Sequence, residues 1–181
     1  MTLFGPQGLH RRARQVHSPN CDERPVGVQA TLLVVHSISL PPGEFGGDAV
    51  EQLFTNRLDP TAHPAFADLR SLRVPAHFLV RRDGELVQFV PIHLRAWHAG
   101  ASRWRAQARC NDFSIGVELE GTPEHAFARA QYAQLARLVR DLRIVLPLRE
   151  VAAHSDVAPG RKIDPGARFD WARLFSALAA R

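Results

Sequence analysis

The sequence predicts a single mixed α/β domain in which helices cover a central sheet, and three stretches carry that prediction. TLLVVH, residues 31–36, is a compact apolar run rich in β-branched side chains, as in a strand buried on both faces. FSIGVELEG, residues 113–121, alternates: Ile115, Val117 and Leu119 share one face, while Gly116, Glu118 and Glu120 share the other. Residues 128–146 place Tyr132, Leu135, Leu138, Val139 and Leu142 at three- and four-residue spacing with arginines opposite, the pattern of a long amphipathic helix. Strands and helices interleaved along one chain pack as a sheet with helical cover.

The remaining elements follow in order. Residues 1–29 lack periodicity and break at Pro19, Pro25 and Gly27, so an irregular N-terminal segment packed on a domain spanning 30–181 is expected. His36 ends the first strand, just before the turn-rich SISLPPGEFGG. An imidazole there serves either as a site residue or as a core histidine bonded to backbone. Asp48 opens a short helix over 48–58, with Val50, Leu53 and Phe54 inward. The runs 76–81 and 85–90 flank Asp83-Gly84 and predict a hairpin. IHLRAWHAG, residues 92–100, reads as a surface loop with Trp97 as an aromatic platform beside His98. Residues 151–154 form a short strand that delivers His154 to a loop. Asp170 caps a last helix whose inner stripe is Trp171, Leu174, Phe175 and Leu178.

Composition narrows the function classes. A chain of 181 residues suits one domain with a substantial core. Cys21 and Cys110 are too few for a disulfide framework and read as free thiols of a reducing compartment. No apolar run reaches the length of a membrane span, so no membrane partner is expected. The opening MTLFGPQGLHRRAR lacks the apolar core of a secretory signal, which points to the cytoplasm. Of the 23 basic residues behind the net charge of +5, all but Lys162 are arginines. They are scattered and no nucleic-acid motif accompanies them, so the charge points to a small anionic substrate and not to nucleic acid.

The segment HSDVAPGRKIDPG, residues 154–166, concentrates the chemistry. It bends at two prolines and two glycines and carries His154, Asp156, Lys162 and Asp164. Loops on a rigid scaffold are where reactive groups gather. With His36, these residues offer two imidazoles and a carboxylate, the donors of a catalytic zinc with one position open. Asp156 and His98 are reserve donors, and Asp156 equally suits a loop-stabilising role. A general base would come from the 113–121 strand, where alternation alone does not choose between Glu118 and Glu120. Arg73 and Arg109 have the planar fork that grips carboxylates, and His77 and Trp97 are rings against which a sugar packs. Ordinary surface salt bridges would serve either arginine as well. Cys110 has no histidine placed against it and reads as buried and inert.

The blocks LLVVHSISLPPGEFGG (32–47), RRDGELVQFVP (81–91), RAWHAG (95–100), RCNDFSIGVELEGT (109–122), AHSDVAPGRKIDPG (153–166) and FDWAR (169–173) together carry a resemblance. Over about residues 15–175 the chain resembles the cytoplasmic N-acetylmuramoyl-L-alanine amidases of bacterial cell-wall recycling. These fall within the wider family of zinc amidases and peptidoglycan recognition proteins. The resemblance implies that His36, His154 and Asp164 hold one zinc per chain. It makes Glu118, not Glu120, the catalytic carboxylate and gives Lys162 a role at the transition state. It further implies hydrolysis of the muramyl–L-alanine amide in 1,6-anhydromuramyl peptides by a cytoplasmic monomer. The family fold, a mixed sheet with flanking helices under a zinc cleft, matches the strand order above. Two departures stand out: Ser37 where the family has asparagine, and Ile163 where it has threonine. A recognition module that binds without cutting is the competing reading.

Overall fold

The computed structural model describes residues 3–180. The first elements are β1 (Arg14–Gln15), β2 (Cys21–Glu23), β3 (Leu32–Ile38), α1 (Ala49–Phe54), β4 (Phe78–Val80) and β5 (Leu86–Gln88). They are followed by β6 (Leu94–Ala96), β7 (Arg103–Trp104), β8 (Gln107–Ala108) and β9 (Ser114–Glu120). The chain ends with α2 (Arg129–Val145), β10 (Glu150–Ala153), α3 (His154–Val157) and α4 (Trp171–Ala179). Six strands form the main sheet in the order β1-β5-β4-β9-β3-β10. Only the β4–β5 hairpin is antiparallel, so the sheet is mixed, as the sequence predicts.

The two central strands are apolar because both faces of the sheet are covered. Leu33, Val35, Ile115, Val117 and Leu119 pack with Tyr132, Leu135, Leu138, Val139 and Leu142 of α2 and with Leu174 of α4. On the opposite face Leu32 and Val34 meet Cys110, Phe113, Ala152 and Val157. Parity then fixes where His36 points. It belongs with Leu32 and Val34, so it emerges on the face away from α2. Pairing aligns His36 directly with Glu118 across β3 and β9. Both sit near the carboxyl ends of parallel strands, and β10 delivers His154 to that same end. Ligands of open α/β sheets bind at that edge.

α2 starts without a Ser, Thr, Asp or Asn cap, but Gln131 compensates. Its side-chain oxygen accepts from the Ala128 N–H, and its amide donates to the Val80 and Glu120 carbonyls. Asp170 caps α4 as expected, accepting from the Arg173 N–H at 2.9 Å.

Four readings need correction. The N-terminal segment is not loop throughout: β1 joins the main sheet beside β5, and β2 pairs with β6. Two or three residues are too few to show a period, so tertiary pairing decides them. Residues 92–100 are not a surface loop, since they contain β6, and Ala96, His98 and Ala99 are buried. His154 does not enter a loop but starts the single turn α3. Phe175 is half exposed and lies outside the inner stripe of α4. Cys21 and Cys110 are both free, and Cys110 is buried. Among the described residues no helix is long and apolar enough to cross a membrane.

Candidate metal centre and cleft

Three donor atoms from distant parts of the chain meet at the carboxyl edge of the sheet. His36 Nδ1 lies 2.9 Å from His154 Nδ1, His154 Nδ1 lies 3.0 Å from Asp164 Oδ2, and Asp164 Oδ2 lies 3.2 Å from His36 Nδ1. Local structure explains the convergence. β3 and β10 are paired neighbours, and the Ser155 N–H donates to the Asp164 carbonyl at 3.0 Å, folding the 154–166 segment back on itself. Asp156 accepts from the Ala153 N–H at 2.8 Å, so it closes the α3 turn and does not reach the triangle.

The donor set fits a borderline-soft divalent ion. The imidazole nitrogens and the carboxylate oxygen are near enough for one ion to touch all three. Burial pushes the His36 imidazole down to about 4, so at neutral pH it offers a lone pair and no charge. Burial alone would raise Asp164, yet hydrogen bonds with His154 and His36 hold its carboxyl well below the ordinary range. A neutral imidazole beside an ionised carboxylate is the pairing of protonation states that a metal needs.

The triangle opens into a cleft of about 330 Å³. Glu118, Lys162 and Ser37 line its polar end, and Leu40, Leu53, Phe54, Leu69, Leu72 and Val74 line its apolar wall. Glu118 Oε2 is buried and, among the described residues, has no hydrogen-bond partner. Burial, followed by the nearby Asp164 charge, raises the Glu118 carboxyl well above its ordinary value, while Lys162 works the other way. An unsatisfied buried carboxylate costs stability, and such groups cluster where chemistry is done.

Glu120, two residues on, is differently placed. Its oxygens accept from Arg81 at 3.0 Å, from the Gly46 N–H at 2.7 Å and from the Arg82 N–H at 3.1 Å. Both oxygens are engaged, and Glu120 is 3% exposed. A second hollow of about 510 Å³ lies over this pair, and its carboxylates, Asp83, Glu85 and Glu120, do not converge as a metal-binding group among the described residues. Glu120→Ala would remove one of the carboxylates around Arg81, leaving Glu51 at 2.5 Å and the more distant Glu85 at 4.0 Å. The expected cost is about 3 kcal/mol, the low end for breaking a buried pair, with Glu118 chemistry intact in the folded fraction. Urea unfolding followed by an activity assay on the folded protein measures both.

The four residues assigned to substrate are engaged by other partners. His77 is 0% exposed, and its ring accepts from the Gly116 N–H and contacts the Leu94 carbonyl and Arg24. Trp97 donates its indole N–H to Asp22 at 3.1 Å. Arg73 closes a turn by donating to the Arg70 and Leu72 carbonyls, and Arg109 pairs with Asp112 at 3.1 Å. None of the four lines the cleft. Residues 69–75 instead supply leucines and a valine, a wall that no periodicity announced. The signal available was His63-Pro64, which caps the short 3-10 helix Pro64–Leu69 ahead of that wall.

A mixed sheet carrying a buried His–His–carboxylate set at its carboxyl edge, with a second carboxylate and a lysine in one cleft, has the make-up of a metallohydrolase. The chain belongs to the N-acetylmuramoyl-L-alanine amidase family, whose sequence model matches residues 26–167. It is 59% identical over 136 residues to the 1,6-anhydro-N-acetylmuramyl-L-alanine amidase AmpD of Escherichia coli K12, covering 75% of this chain and 74% of that one. A crystal structure of an AmpD selenomethionine derivative superposes with a TM-score of 0.95 at 51% identity, covering 98% of this chain and 99% of the other. The E. coli amidase AmiD, solved with anhydro-N-acetylmuramic acid-L-Ala-D-γ-Glu-L-Lys, aligns at 27% identity with a TM-score of 0.61. That alignment covers 96% of this chain and 65% of AmiD.

Proposed function

We propose that the chain hydrolyses the amide between 1,6-anhydro-N-acetylmuramic acid and L-alanine in muropeptides, as a zinc-dependent, cytoplasmic, monomeric enzyme of peptidoglycan recycling. The observation that carries the reading is the convergence of His36, His154 and Asp164 beside an unpartnered Glu118. The similarity to AmpD enzymes, and the muramyl peptide bound by AmiD, support the substrate class. A zinc ion held by the three donors supplies Lewis acidity and a water that is acidic near neutrality.

The chain's own residues do the rest. Glu118 accepts the proton of the attacking water and later returns it to the L-alanine nitrogen as the amide breaks. Lys162 brings a positive charge to the carbonyl oxygen as it becomes anionic. The apolar wall excludes bulk water, which strengthens both effects. A module that only binds has no use for the buried, unsatisfied Glu118, and this observation favours the cutter.

Lys162→Ala is expected to lower kcat about 10²–10³-fold with KM little changed, because its charge acts on the transition state. Steady-state kinetics measure that split. The function itself is tested by mass spectrometry of anhydromuramyl-tripeptide incubated in ¹⁸O-water. The reading requires free tripeptide and an anhydromuramic acid carrying one ¹⁸O in its new carboxylate. Unchanged substrate that co-purifies with the protein would make it a binder.

A further inference from the structure

His36 and His154 each turn Nδ1 toward Asp164, so the groups behind the rings decide which nitrogen carries the proton. Behind His154, Nε2 faces the Ala99 carbonyl at 3.3 Å. Behind His36, Nε2 faces His98 Nδ1 at 2.9 Å. The other nitrogen of His98 lies 3.0 Å from Ser114 Oγ, and that hydroxyl lies 2.6 Å from the Cys110 carbonyl. A carbonyl oxygen only accepts, and this fixes the direction of the whole chain. Ser114 donates to Cys110, and His98 Nε2–H donates to Ser114. The bare His98 Nδ1 then accepts from His36 Nε2–H, which leaves the lone pair of His36 Nδ1 facing Asp164.

The support is built to hold that arrangement. His98 is 9% exposed and Ser114 is fully buried. The Ala99 N–H donates to Asn111 Oδ1 at 2.8 Å, and Arg161 donates to the Ala99 carbonyl at 2.6 Å. A Cβ at position 116 would come within 2.4 Å of His98 Cγ, so glycine there admits the ring against the strand. His98 itself stands outside the donor triangle.

We propose that His98, held by Ser114 and the Cys110 carbonyl, is a positioning residue that fixes His36 in the tautomer with a free Nδ1. The adjacent Ala99 carbonyl does the same for His154, so two consecutive residues orient both imidazoles. The proposal rests on the reading that His36, His154 and Asp164 bind zinc. Groups behind metal-ligating histidines hold ring and tautomer, and their loss typically weakens metal affinity about 10–100-fold.

The test is zinc affinity by competition with a chromophoric chelator, together with ¹⁵N NMR of the zinc-loaded protein. His98→Leu is expected to weaken zinc binding about 10–100-fold, and His98→Asn, whose side-chain oxygen replaces the Nδ1 acceptor, to recover most of it. The unaltered protein should show a proton on His36 Nε2 with nitrogen–nitrogen coupling to His98 Nδ1. Ser114→Ala, which removes one oxygen atom, should weaken binding in the same direction and keeps the question decidable if His98→Leu fails to fold. Unaltered affinity in these variants, or a proton on His98 Nδ1, overturns the proposal while leaving the metal site in place. No zinc binding by the unaltered protein overturns the reading beneath it and takes this inference with it.

Discussion

Glu118→Gln is expected to bind zinc as tightly as the unaltered chain and to lose about 10²–10⁴-fold in kcat, the usual worth of a positioned general base. The substitution keeps the shape of the side chain and removes its basicity. Position argues for the effect, since Glu118 pairs across the sheet with His36, lines the cleft and has an oxygen with no partner. A second consequence follows from the raised carboxyl. A folded-state value above the unfolded one means stability is highest below the unfolded value and falls as pH rises toward the folded one. In metal-free protein, Glu118→Gln should therefore raise Tm near about pH 8 and leave it little changed near about pH 4. Unchanged turnover would place the base on another group; a Tm gain equal at both pH values would mean the carboxyl is not strained by burial.

Removing the metal is expected to have the larger effect. Dialysis against a strong chelator should reduce hydrolysis of anhydromuramyl-tripeptide to background, and zinc, but not magnesium, should restore it. The asymmetry comes from the donors: two imidazole nitrogens and one carboxylate oxygen suit zinc, whereas magnesium prefers an all-oxygen shell. Without the metal, Glu118 and Lys162 still line the cleft, but neither supplies an acidic water. Full activity in protein shown to be metal-free would contradict the proposed mechanism.

Much of the frame was legible in the sequence because burial imposes a period. The run at 31–36, the alternation at 113–121 and the helical stripe of α2 each report which face is covered, and all three stand in the structure. The candidate donors were partly legible: His36 lies two residues inside the end of β3 and not at its last position as expected, His154 follows directly on β10, and Asp164 lies in the Pro/Gly-rich segment next to it. The choice between Glu118 and Glu120 was beyond alternation, because both face the same side. The structure distinguishes their surroundings: Arg81, thirty-nine positions before Glu120, bonds that carboxylate, whereas Glu118 Oε2 has no partner among the described residues. The same limit explains Arg73, Arg109, His77 and Trp97. Residue type announced forks and rings, but the distant partners Asp22 and the Gly116 N–H engage Trp97 and His77, while Arg109 pairs with Asp112 three positions on and Arg73 turns back on carbonyls beside it in sequence. Arg24 was missed altogether: it is half-buried and donates to the carbonyls of Asn111, Asp112 and Ser114, where the strand that carries Glu118 begins.

The most direct test is X-ray absorption at the zinc edge of the loaded protein, compared with His36→Ala. The unaltered chain should show only nitrogen and oxygen neighbours at about 2.0–2.1 Å, with the outer-shell scattering of two imidazoles, and His36→Ala should lose one. A sulfur neighbour at about 2.3 Å, or a spectrum that His36→Ala leaves unchanged, would contradict a metal shared by His36, His154 and Asp164.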